Sequence, residues 1–98
     1  MTTRIIWGVV NANGTIASGS GDFAVSRTAA GQYQIQFNDD FNQTPAMVGS
    51  QVLFGGLNES PLDNVVFPFL NKNGATAITG DAGGKQGDRN FSFVAIGV

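Results

Sequence analysis

A chain of 98 residues with 5 basic and 7 acidic side chains, no histidine and no cysteine excludes several functions at once. It has no electrostatic footprint for nucleic acid, no disulfide framework or thiolate zinc site, and neither the commonest metal ligand nor the usual general base of neutral pH. The length suits one domain, residues 1–98, able to hide about 65% of the unfolded surface in a single core.

Two departures from average composition carry information. Charged residues are 12% of the chain where about 25% is usual. Glycine, at 14 residues, is twice its ordinary share of about 7%. The glycines, with Asn and Asp beside them, announce many tight turns. So sparse a charge leaves a surface that is polar-neutral or covered by other subunits, which favours an oligomer. No apolar run approaches the roughly 18 residues of a membrane span, so no membrane insertion is expected, and Met1-Thr2-Thr3-Arg4 does not open a signal peptide.

Along the chain, β-runs alternate with turn signals and no helical period intervenes. Residues 4–10 form a first strand, ended by Asn11-Ala12-Asn13-Gly14, where Asn-Gly is a hairpin signal because both residues tolerate positive φ. A short return strand over 15–18 is broken by Gly19-Ser20-Gly21-Asp22. Residues 23–28 alternate, with Phe23, Val25 and the Arg27 stem on one face. After Ala29-Ala30-Gly31 the run Gln32-Tyr33-Gln34-Ile35-Gln36-Phe37 alternates strictly, the mark of a strand with one dry and one wet face. Residues 23–37 therefore read as a hairpin.

A connection with one apolar anchor, Phe41, leads past Pro45 to a strand over 46–54 and a loop over 55–64. In the next strand, 65–70, Pro68 demands an edge position or a bulge, since it has no N–H to give to a ladder. Asn71-Lys72-Asn73-Gly74 is a second Asn-Gly turn. A strand over 75–79, a glycine-rich excursion over 80–89 and a last strand over 90–98 complete the chain. The last strand is apolar on both faces, which places it at the centre of a sheet or at a subunit interface. About eight short strands at regular spacing predict an all-β fold, a single antiparallel β-sandwich of jelly-roll-like topology.

The order Gly-x-Tyr-x-Ile-x-Phe, an anchor Phe, Pro-Ala-x-Val, an Asn-Gly turn and a terminal Phe-Ser-Phe-x-Ala-Ile-Gly resembles two architectures. Over nearly the whole chain it is similar to the compact trimeric β-sandwich of the C1q and tumour-necrosis-factor type. Residues 10–19 and 28–33 are closest to its bacterial and phage tail-fibre relatives. Residues 35–97 resemble in part the H-type lectin domain, a sandwich that trimerises and binds N-acetylgalactosamine-like sugars. The resemblance implies a homotrimer. The lectin family's sugar-gripping aromatic and histidine residues have no counterpart in 80–89, so no lectin site is carried over by position.

Candidate sites remain open between two readings each. Asp81, Lys85, Gln86, Asp88 and Arg89 supply the mixed donors and acceptors that sugar hydroxyls need; they equally suit a solvated hairpin tip. Gly83-Gly84-Lys85 lacks Walker spacing and a following helix. Trp7 is either a stacking platform for a sugar or part of the core or a trimer interface. Asp39 and Asp40, with Asn38 and Asn42, could offer oxygens to calcium, but EF-hand spacing is absent and side-chain-bonded turns use the same residues. No metal site and no cofactor is assigned.

Catalysis is not expected. No histidine can activate a serine or threonine, and a domain of this size seldom holds a deep cleft between two carboxylates such as Asp81 and Asp88 or Asp39 and Asp63. The sequence thus predicts a non-enzymatic, lectin-like carbohydrate-binding module that engages glycans or cell-surface saccharides as a multivalent homotrimer. The alternative is a structural trimerisation or receptor-binding tip domain of a phage tail fibre or bacterial surface appendage. A tip domain would lie outside the cell or on the virion, a free module in the cytoplasm.

Overall fold

A computed structural model describes residues 2–52 and 55–98. Eight strands form in chain order: β1 (Arg4–Val10), β2 (Ile16–Gly19), β3 (Phe23–Ala29), β4 (Gln32–Phe37), β5 (Ala46–Gln51), β6 (Asn64–Leu70), β7 (Gly74–Gly80) and β8 (Phe91–Gly97). No helix occurs among the described residues. The expected strand over 46–54 ends at Gln51, and its positions 53 and 54 lie outside the described residues.

The strands make two antiparallel sheets, β2-β1-β8-β5 and β3-β4-β7-β6. The chain changes sheet after β2, β4, β5 and β7, so that β1 and β8 pair along their whole lengths, Arg4 opposite Gly97 through Val10 opposite Phe91. This is the predicted jelly-roll-like β-sandwich. Its core follows from the alternation: Ile6 and Val10 of β1, Tyr33, Ile35 and Phe37 of β4, and Phe91, Phe93 and Ala95 of β8 are all buried. Phe23 meets Phe93 edge-on at 5.1 Å between ring centroids, and Phe37 meets Phe41 likewise at 5.2 Å. Phe41 is thus the anchor that the connection was expected to carry, and the Arg4 guanidinium lies 4.5 Å above its ring.

Pro68 sits where its chemistry demands. β6 is an edge strand, and its register with β7 slips between Val66 and Phe69. The two Asn-Gly turns behave differently from expectation. In the first, only Gly14 takes positive φ (91°) and Asn13 does not. The amide of Gly14 bonds to the Asn11 carbonyl, as in a turn with a glycine bulge rather than a two-residue hairpin turn. In the second, neither residue takes positive φ. Asn71 Oδ1 accepts the amides of Asn73 and Gly74 instead, and Gly74 is required because a Cβ there would overlap the Ile35 carbonyl oxygen.

Candidate functional site

Strand alternation and the packing of β8 between β1 and β5 create one unusual surface. The outward positions of these strands line up in three rows: Ile5, Ile96 and Ala46; Trp7, Val94 and Val48; Val9, Ser92 and Ser50. Ile5 is 53% exposed, Trp7 41%, Val48 68%, Val94 40% and Ile96 43%. No row contains a charge. The outward face of the other sheet contrasts with it, for Ser26, Gln34 and Thr76 form a polar row there, with Thr76 Oγ1 donating to Gln34 Oε1 at 2.9 Å. Only at its β6 edge, where exposed Phe69 lies opposite Thr76 and Val66 opposite Ile78, does that second face turn apolar.

Trp7 therefore does not belong to the core, which corrects that half of its sequence reading. It points outward because its neighbours Ile6 and Gly8 take the buried side of β1. Trp7 and the 80–89 loop lie at different levels of the sandwich. Trp7 lies three residues from Val10, about 10 Å along the strand, and Val10 opposite Phe91 is the level at which the loop rejoins the sheet.

The loop residues gather at one end of the sandwich, where Asp81, Gln86, Asp88 and Arg89 each have at least one side-chain atom engaged by the protein itself. Asp81 Oδ1 accepts the amides of Gly83 and Lys85, each at 2.9 Å. These backbone bonds, the Lys85 amide foremost, hold its carboxyl below the usual carboxylate range. Asp88 receives Arg27 Nε at 2.8 Å and the Gly31 amide at 2.8 Å. The Arg27 bond is the main reason that its carboxyl is also held low and the guanidinium held high. Arg89 Nη1 donates to Asp63 Oδ2 at 2.9 Å, and that carboxylate is nearly buried. Gln86 Oε1 accepts Gln32 Nε2 at 2.8 Å. Lys85 is exposed at the tip and makes no side-chain bond among the described residues.

Tyr33 is the hub beneath this end. Its ring is buried, and its hydroxyl donates to the Ala12 carbonyl at 2.7 Å and accepts the Arg89 amide at 3.3 Å. Burial pushes its phenol above the ordinary value. Thr79 Oγ1 donates to the Gly87 carbonyl at 2.7 Å, tying the loop to β7.

Beside the loop lies a hollow of about 250 Å³ that the sequence did not reveal. Val66 and Ile78, paired across β6 and β7, form its floor with Leu62, and Asn64, Asp81 and Gln86 edge it. Only Asp81 and Gln86 of the predicted set touch it. Leu62 and Val66 were hidden because the 55–64 loop and an edge strand gave no sign that they meet β7. Asp39 and Asp40 are exposed on the β4–β5 connection, and among the described residues no three acidic side chains gather as metal ligands would.

Comparison with known proteins adds no assignment: no family model matches the chain, and neither a curated protein nor a solved structure is similar to it.

Proposed function

We propose that this domain is a non-enzymatic assembly module, a homo-oligomer built on the outward face of β1, β8 and β5. One observation carries the reading: three adjacent rows of that face hold Ile5, Trp7, Val48, Val94 and Ile96 exposed, with serines as the polar side chains and no charge. An uncharged face can close on a copy of itself without stranding a charge away from water, which is the main penalty on a buried interface. Aromatic and aliphatic side chains at the centre of such a patch are what interface cores are made of. The resemblance to compact trimeric sandwiches favours a homotrimer. The resemblance to bacterial and phage tail-fibre relatives favours service as a trimerising or receptor-binding tip domain of a phage tail fibre or bacterial surface appendage, and Asp88 and Arg89, already engaged in holding the fold, weaken the case for a sugar site on the loop.

The test is the native mass by sedimentation equilibrium. A species of about three times 10.2 kDa is expected, and a monomer at every concentration refutes the assembly reading.

A second reading, lectin-like carbohydrate binding, is favoured by the hollow beside β6 and β7, where an apolar floor meets a polar edge. Assembly would then multiply weak single contacts, raising effective affinity by roughly 10²–10⁴.

A further inference from the structure

We infer that the hollow over Val66 and Ile78 is a binding site for one neutral, hydroxyl-rich ring, a single pyranose unit. This rests on the carbohydrate-binding reading and gives it a place, away from Trp7 and from the assembly face.

Size comes first. At about 250 Å³ the hollow has room for about eight waters at roughly 30 Å³ each, the space of one substituted six-membered ring rather than of an extended chain. Its chemistry is divided as a sugar ring is divided. Leu62, Val66 and Ile78 offer aliphatic surface to the C–H face of a pyranose, and Val66 is half-exposed, so that covering it is favourable.

The edge then supplies both signs of hydrogen bond. Asp81 uses Oδ1 for its own turn, and Oδ2 has no protein partner among the described residues. Asn64 uses Oδ1 on the Val65 amide and Gln86 uses Oε1 on Gln32, which leaves the Nδ2 and Nε2 amino groups as donors. One carboxylate oxygen and two amide donors match hydroxyls, which both donate and accept.

The same inventory argues against other occupants. No lysine or arginine lines the hollow itself, so a phosphate or an acidic sugar would meet the Asp81 carboxylate directly, with Lys85 and Arg89 acting on that site only through space. A single carboxylate is too few for calcium. A peptide strand added to the β6 edge would meet Pro68, which has no N–H to donate, and the register slip beside it.

The site belongs to one protomer, so its test does not depend on assembly. The ¹⁵N-labelled protein is titrated with the methyl pyranosides of glucose, galactose, mannose, N-acetylglucosamine and N-acetylgalactosamine, to tens of millimolar. At least one sugar should produce saturable shifts in the Asn64, Gly83, Gly84 and Gln86 amides, with millimolar affinity as expected of a ligand so small. Val66→Arg fills the hollow from an exposed edge position and should abolish the shifts while the remaining spectrum stays native. Asp81→Asn keeps the turn-forming Oδ1 and should weaken binding about tenfold through loss of a charge-assisted bond.

Shifts that survive Val66→Arg, or that map elsewhere, overturn this site and leave carbohydrate binding standing. Silence with every sugar overturns both. Loop shifts that follow protein concentration without sugar identify a second copy as the occupant and likewise overturn the proposal.

Discussion

Replacing Ile96 by aspartate tests the assembly face on its central strand, β8. Ile96 lies on β8 between Ile5 and Ala46 and is 43% exposed. Full burial of such a side chain is worth roughly 1.5–3 kcal/mol, so the exposed part has about 1 kcal/mol left to gain when a partner covers it. Aspartate forfeits that and adds a carboxylate that must lose its water without a cation opposite, a penalty of about 3–5 kcal/mol for an uncompensated charge in an interface. Together these weaken each contact by about 4–6 kcal/mol, or roughly three to four decades in dissociation constant.

The measurement is sedimentation equilibrium across a concentration series, with thermal unfolding as a check that the protomer is intact. Val48→Asp is the companion variant. Val48 is 68% exposed on the edge strand β5, where a surface substitution changes protomer stability by only about 0.5 kcal/mol. Both variants should run as folded monomers. If both keep the wild-type mass, the face is not the interface and the reasoning fails.

Two further outcomes concern stability against pH and the packing of the core. Asp81 and Asp88 bind protons less readily folded than unfolded, so their stabilisation is present above the unfolded value of about 3.9 and is lost as pH falls through the folded values below it. Tyr33 is shifted upward, so the unfolded phenol ionises first and stability declines as pH rises beyond about 10. Urea midpoints should therefore drop at both ends of the scale; Asp88→Asn should flatten the acid limb, and an unaltered limb would discard the Arg27 pair as its cause. Gly8→Ala should cost about 1–3 kcal/mol, because the new Cβ meets the Phe23 ring and comes within 2.9 Å of Phe93 Cε1. Calorimetry should register roughly 4–8 °C for each kcal/mol lost, and an unchanged Tm would show that the aromatic pair yields freely.

Much of the fold is legible residue by residue, because strand and turn formation are local. The alternation of Tyr33, Ile35 and Phe37 with glutamines names a half-buried strand, and β4 is one. Pro68 names an edge or a bulge, and β6 has both. Phe91 and Phe93 against Val94 and Ile96 name a strand apolar on both sides, and β8 runs between β1 and β5. Each inference needs only the two-residue period and the donor that proline lacks.

What the sequence by itself could not determine is which faces meet and which polar groups find each other. The outward turn of Trp7 depended on Ile6 and Gly8 taking the core side, and Val48 joined its row only through the register of β5 on β8. Asp88 met Arg27 across 61 residues of chain, and Leu62, Val66 and Ile78 became one floor only when the β5–β6 loop folded beside β7. Periodicity assigns every strand two faces, but register and sheet packing choose the neighbours. Charge pairing and surface hollows are properties of those neighbours, and so they belong to the tertiary structure alone.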